Sequence, residues 1–232
     1  MKVIASWSGG KDSCFACYKA LAQGYEVSYL VNFISREFRR VSFHGTRAHL
    51  ISRQAQAIGI PLMQYTVLPD MSFYEQTFKK AVSALKRNGV EGMVFGDIYL
   101  QEHKDWIERV CGELGITPLL PLWGMASERI LSDFIEAGFE AVIVSVKSDI
   151  FDEKWLGQRI DHKLPIRFEK AGRGKEVGCL WGARGVSHPG GGWATFSAAS
   201  SGDIWSQSAA EWILVPRYPK VQTWIEVRQK LI

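Results

Sequence analysis

Short apolar runs alternate with stretches of 3.6-residue periodicity over the first 150 residues, the rhythm of a parallel sheet whose strands are joined by helices. The runs predict strands over 2–7, 26–33, 62–67, 92–96 and 140–146; the periodic stretches predict helices over 12–23, 46–58, 73–88, 102–114 and 126–137. Gly59, Gly89, Gly115 and Gly138 stand where four of those helices should stop. The expected fold class is α/β: a doubly wound, mainly parallel, five-stranded and Rossmann-like sheet over residues 1–150, with a smaller C-terminal region over 151–232. Such sheets bind ligands beyond the carboxyl ends of their strands. The positions to search therefore follow residues 7, 33, 67 and 96.

The first of these carries Ser8-Gly-Gly-Lys-Asp-Ser13 directly behind the apolar run that ends Ser6-Trp7. Gly9 and Gly10 lack Cβ atoms, so several backbone N–H groups can turn inward around an oxyanion, with Ser8 and Ser13 adding hydroxyls and Lys11 a positive charge. Asp12 stands where a helix would be capped. A phosphate-binding turn is the chemical reading, and a plain surface turn is the bland one. The four-residue spacer of the kinase-type loop is absent, so this is not a Walker loop.

Other candidates sit at the same edge. After the second strand, a turn could hold an adenine against Phe33 through backbone contacts. His44 would then approach ribose or phosphate, or else serve as a helix-entry residue. Arg36, Arg39 and Arg40 read largely as a solvated face. The fourth strand ends in Gly96-Asp97, where a carboxylate could hold the Mg²⁺ that ATP chemistry needs, or could cap the next helix. Gln101, Glu102 and Trp106 open that helix as polar or aromatic candidates for substrate contact, or as an ordinary solvated first turn.

Composition narrows the class. With 47% hydrophobic residues in 232, the chain can bury a sizeable core. It has no apolar run of about 18 residues and no leader pattern, which predicts a cytoplasmic protein without a membrane partner. The four cysteines include Cys14 and Cys17, but no second pair at zinc spacing follows, and they read as buried thiols. The net charge of +4 is unevenly spread: residues 1–162 hold 18 basic against 19 acidic side chains, and 163–232 hold 10 against 5. A near-neutral body disfavours a nucleic-acid partner.

The Ser8–Ser13 loop resembles the signature of PP-loop ATP pyrophosphatases. Together with Phe43-His44-Gly45, Gln56–Leu62, Val94–Ile98, Ile107–Cys111, Pro121–Gly124 and Trp155-Leu156-Gly157, it resembles the diphthine–ammonia ligase family over about residues 1–161. That resemblance implies ATP-dependent amidation: a carboxylate acceptor takes AMP from ATP with release of pyrophosphate, and ammonia opens the acyl-adenylate. It also implies a possible homodimer. By the same resemblance Lys11, Asp12 and Ser13 would be catalytic. Ser6, Ser8, Gly9 and Gly10 would complete the phosphate-binding turn; from their places at the same sheet edge, Phe33, His44 and Gly96 are expected beside the nucleotide, Gln101, Glu102 and Trp106 toward the acceptor, and Asp12 and Asp97 on Mg²⁺. The stretch from Leu100 to Trp106 departs from the Tyr-Gln-Arg element of members that act on diphthine, which brings the chain closer to a broader related branch. RNA-modifying PP-loop enzymes and a nucleotide-binding module without turnover are the competing classes.

Beyond about residue 162 the rhythm stops, and five of the nine tryptophans crowd into 181–224. The family would continue with sequences close to CGENGEFHT and DGPLF, and neither is present. One nucleotide downstream, however, Val177 to Phe196 can encode LDVCGERGEFHTLVVDGPLF, and Glu211 to Tyr218 can encode NGYWFLDI. The expectation is a shift of reading frame between about residues 162 and 176, against the alternative of a divergent tryptophan-rich tail. Gly185, Ser187 and His188 then carry no catalytic message.

Overall fold

The computed structural model describes residues 1–41, 46–68, 70–143, 153–155 and 157–164. His44 and the tail beyond residue 164, including the frame-shift expectation, lie outside the described residues.

A first compact unit holds Met1–Ser42 and Thr46–Met125, and a second begins at Ala126. The first contains β1 (Lys2–Ser6), α1 (Lys11–Ala22), β2 (Glu26–Ser35), α2 (Ala48–Ile58), β3 (Leu62–Val67), α3 (Met71–Lys86), β4 (Gly92–Val94), α4 (Gln101–Leu114) and β5 (Thr117–Leu119). The five strands form one sheet in the order β3-β2-β1-β4-β5, with every pairing parallel. Both faces of such a sheet are covered, which is why Val3, Ile4 and Ala5 are all fully buried. Ile4 joins Phe78, Val82, Val110 and Cys111 in the core under α3 and α4. Its neighbours along the strand point to the opposite face, which right-handed crossovers assign to α1 and α2.

The fifth strand is not the one the apolar pattern predicts. Thr117-Pro118-Leu119 takes the edge beside β4 through Thr117 N–H on Glu91 O (2.8 Å) and Phe95 N–H on Leu119 O (2.8 Å). Pro118 falls between these bonds, where its missing donor faces away from β4, a position an edge strand tolerates. Of the run expected over 140–146, the described residues 140–143 contribute β6 (Ala141–Val142), which pairs antiparallel with β7 (Arg159–Ile160) in a separate two-stranded sheet. The boundary between the two units falls between Met125 and Ala126.

The second unit also holds α5 (Ser127–Glu136) and a short 3-10 turn at Glu153–Trp155. Its Phe134 and Phe139 rings stack at 4.9 Å. No described helix is long and apolar enough to cross a membrane.

Candidate functional site

β1 ends at Ser6 in register with Val31 of β2, and the chain then turns through Ser8–Gly10 into α1. The turn is closed by its own hydroxyls. Ser8 Oγ donates to Ser13 Oγ (3.0 Å) and accepts from Gly10 N–H (3.3 Å), while Ser13 Oγ donates to Gly10 O (3.0 Å). Ser8 N–H adds a longer bond to Ser13 Oγ at 3.3 Å. Gly10 is the N-cap of α1 and supplies no side-chain acceptor. The first-turn N–H groups of the helix, which no intrahelical carbonyl can satisfy, therefore open toward the turn with the positive end of the helix dipole behind them. Lys11 Nζ lies 2.6 and 2.7 Å from the two carboxylate oxygens of Asp12, so a cation and an anion stand side by side at the mouth of the loop.

Two glycines make this geometry possible. Gly9 has φ +79°, and a Cβ there would meet Ile51 Cδ1 at 2.3 Å and Gln54 Oε1 at 2.8 Å. Gly96, just past β4, presses on the first turn of α1: a Cβ would stand 2.7 Å from Ser13 N and 2.8 Å from the carbonyl carbon of Asp12. Those are backbone atoms that no rotamer change can move. The carboxyl end of β4 thus lies against the loop, as the Gly96-Asp97 pattern suggests, and the next residue is Asp97.

Asp97 does not cap α4, whose N-cap is Leu100. Its Oδ1 lies 2.9 Å from His103 Nδ1. The partly buried Tyr74 phenol is pushed well above its ordinary range by desolvation and then by the nearby Asp97 charge. Among the described residues no group of three or more His, Cys, Asp or Glu is placed to hold a metal ion. Mg²⁺ in nucleotide sites is usually held by one or two carboxylates together with substrate phosphates, so the pair Asp12 and Asp97 fits its donor chemistry without such a cage.

Other expected contacts are committed elsewhere. The Phe33 side chain is buried in an aromatic cluster, 5.2 Å from Tyr74 and 5.7 Å from Phe78, so only its backbone is left for a nucleotide. Trp106 packs edge-on against Phe78 at 5.1 Å and donates its Nε1–H to Glu75 Oε2 at 2.9 Å. It therefore works in the α3–α4 seam. Gln101 is exposed and bonded to Asp105 (2.6 Å), and Glu102 is exposed. Cys14 and Cys17 are buried free thiols as expected. Burial pushes Cys14 up to about 12 and Cys17 higher still.

What sequence reasoning missed is a chain of neutral amides behind the loop. Trp7 Nε1–H donates to Gln54 Oε1 (3.0 Å), and Gln54 Nε2 donates to Gly9 O (3.1 Å), so one buried glutamine ties the loop to α2. On the other side Asn32 Nδ2 donates to Trp7 O (2.7 Å), and Gln64 Nε2 donates to Asn32 Oδ1 (3.2 Å). The Gly9 carbonyl is drawn back toward Gln54, and the Ser8 and Gly10 N–H groups close on the loop's own hydroxyls, so the donors that face outward are those of the first turn of α1. A signal was there: Gln54 shares the apolar stripe of α2 with Leu50, Ile51 and Ala55 and is only 3% exposed.

A parallel sheet in the order 3-2-1-4-5, with a Ser-Gly-Gly-Lys-Asp-Ser loop running into a helix N-terminus, defines an α/β protein of the PP-loop kind. The family is narrower. The model of the diphthamide synthase N-terminal domain matches residues 1–118, and that of the diphthamide synthase C-terminal domain matches residues 126–170. The chain belongs to the diphthamide synthase family, a family of enzymes. It is similar to the diphthine–ammonia ligase of Homo sapiens, 28% identical over 189 residues that cover 73% of this chain and 71% of the human protein. The Rattus norvegicus ligase is 27% identical with the same coverage. Among solved structures, the chain is similar to a predicted subunit of a tRNA methyltransferase from Methanocaldococcus jannaschii, with TM-score 0.42, 16% identity, and 76% and 91% of the two chains covered.

Proposed function

We propose that the Ser8–Ser13 loop binds ATP and that the protein uses it as an ATP-dependent amide ligase. The observation that carries this reading is the loop itself: closed by Ser8 and Ser13, drawn back by Gln54, and leading into the uncapped first turn of α1 beside Lys11. An oxygen of the acceptor carboxylate attacks the α-phosphorus, and the bond to the β-phosphate breaks and releases pyrophosphate. Ammonia then attacks the acyl carbon, AMP leaves with the bonding pair, and the nitrogen loses a proton to solvent. The chain has little covalent work to do. Ser8, Gly9, Gly10 and Ser13 hold the departing pyrophosphate, and Lys11 offsets the charge that develops between the α- and β-phosphates. Asp12 and Asp97 would hold Mg²⁺, which would supply neutralisation of phosphate charge. Gly96 keeps Asp97 at the loop, and Gln101 and Glu102 are the polar side chains offered to the acceptor. Relatives named diphthine–ammonia ligase make a diphthine-type carboxylate the first acceptor to test.

Two observations weigh against an RNA-thiolating alternative. The body is near neutral over residues 1–162, and thiols buried and raised to about 12 or above do not act as thiolates near neutral pH.

The tail belongs to the same proposal. Similarity to the family's C-terminal domain reaches residue 170, inside the interval of about 162–176 expected for the change of frame. The acceptor-binding half of the ligase is encoded one nucleotide away from the frame that yields residues 177–232. Sequencing the gene tests this directly, and a DNA sequence with no frame reading GEFHT near this point overturns it.

For the activity, the measurement is pyrophosphate release by the restored-frame protein supplied with ATP, Mg²⁺, ammonia and carboxylate acceptors. Lys11→Ala should abolish release while leaving thermal unfolding unchanged. If AMP and pyrophosphate never appear with any acceptor, the ligase reading fails.

A further inference from the structure

A cavity of about 470 Å³ lies at the carboxyl ends of β2 and β3, beside the start of α3. Ile34 and Val67, both buried, form its apolar floor, and the half-exposed Phe73 and Leu68 form a wall. Arg36 and Arg39 stand at the rim. The hydroxyl-bearing Ser35, Thr66 and Thr77 complete the lining. The volume lies in the range of small-molecule sites, about 300–1,000 Å³, and the lining is divided between an apolar floor and wall and a polar rim.

The turn that carries the arginines is held to the sheet. Ser35 N–H donates to Arg40 O (2.7 Å), Arg39 N–H to Ser35 O (3.0 Å), and Arg36 N–H to Val67 O (3.0 Å). Ile34 and Val41 pair across it. Among the described residues Arg39 is the one non-glycine residue with positive φ, at 50°. Glycine or asparagine would make the same turn with less strain, and either would remove a guanidinium from the rim. Among the described residues neither Arg36 nor Arg39 forms an ion pair. Two cations with no carboxylate partner among the described residues, above an apolar floor, at the edge of a parallel sheet where ligands bind, are an arrangement with an evident complement.

We propose that this pocket is a second ligand site of the first unit, separate from the Ser8–Ser13 loop, and that it takes a small organic anion: a carboxylate or phosphate monoester carried on an apolar body. The anionic group sits between the Arg36 and Arg39 guanidiniums, with hydroxyl donors beside it. The body lies on Ile34 and Val67 against Phe73. The inference stands apart from the amidation chemistry, since it requires no turnover and no ATP.

The test is a ligand-observed NMR titration of the full chain with 4-phenylbutyrate, phenyl phosphate and the uncharged 4-phenylbutanol. Both anions should bind, the alcohol at least about tenfold more weakly, and Arg36→Gln should weaken both anions about tenfold, as expected for loss of a charge-assisted pair. Arg39→Asn tolerates the left-handed backbone, so it should lose binding while its melting temperature stays level or rises, a combination that a merely structural arginine would not give. Tighter binding of the carboxylate or of the phosphate assigns the source of the anion. Equal binding of the alcohol, unchanged binding in both arginine variants, or competitive displacement of the anions by ATP would overturn the proposal; the last outcome would make the pocket part of the nucleotide site.

Discussion

Two polar networks hold the first unit together, and they are built from opposite materials. Behind the Ser8–Ser13 loop, Gln64, Asn32, Trp7 and Gln54 form a neutral chain that ends on Gly9 O, and Asn32 and Gln54 are almost wholly buried. Across the α3–α4 seam, Glu75, Lys79, Arg109 and Glu113 form an ionic lattice: Glu75 lies 2.6 Å from Lys79 and 2.7 Å from Arg109, and Arg109 lies 2.8 Å from Glu113. Its arginine is about half exposed. Amides can be buried without the desolvation cost of charge, provided every donor and acceptor is matched, and once buried they fix geometry. Exposed ion pairs tolerate movement, are screened by salt and contribute little. The stiff material lies behind the Ser8–Ser13 loop, and the compliant material lies where two helices need only stay adjacent.

The comparison breaks most visibly at Gly96, which holds the loop from the front as the amides hold it from behind. Gly96→Val places carbon within 2.7–2.9 Å of backbone atoms of Asp12 and Ser13. The strand end and α1 must then separate, at a cost near the upper end of overpacking, about 3 kcal/mol. Nucleotide binding, followed by calorimetry with ATP, should be lost at temperatures where circular dichroism still reports the fold. Retained binding would mean that the amides suffice by themselves.

Next in size is Gln54→Leu. The shape is nearly kept, but Trp7 Nε1–H and Gly9 O lose their partner in a buried site, which costs roughly 2–3 kcal/mol. Urea unfolding should show that loss, and ATP affinity should fall with it because the Gly9 carbonyl is no longer drawn back. If the variant is destabilised and yet binds ATP as tightly as the parent, the amide chain is structural only.

Most of this unit is legible in the sequence. Gly59 and Gly115 close α2 and α4 in the left-handed conformation, and the apolar runs ending at Ser6 and Val67 are strands. What escaped was whatever depends on contact between distant elements. Thr117–Leu119 has three residues and a proline, too little pattern to outweigh the longer run at 140–146, and only the pairing with β4 makes it a strand. The loop was readable from its glycines and hydroxyls. Gln54 was visible only as one polar residue on an apolar stripe, and its partner Gly9 is 45 residues away. Trp106 misled in the reverse direction, since an aromatic at a helix start looks available until Phe78 and Tyr74 are found against it.

The smallest expected effect separates the two networks by their response to pH. Hydrogen bonds from Arg109 and then Lys79 hold the Glu75 carboxyl down at about 2, below its ordinary 4.5. A carboxylate whose folded value is depressed stabilises the fold fully above its unfolded value, and that contribution disappears as pH falls through the folded value. The stability difference between the parent and Glu75→Gln should therefore be at most about 1 kcal/mol near neutrality, shrink in high salt, and decline as pH drops from about 4.5 toward 2. The Gln54→Leu deficit involves no titrating group and should hold constant over the same window. Parallel urea titrations of the two variants between pH 5 and 3 measure both, and a Gln54→Leu deficit that fades with acid would show that the loop is held by charge after all.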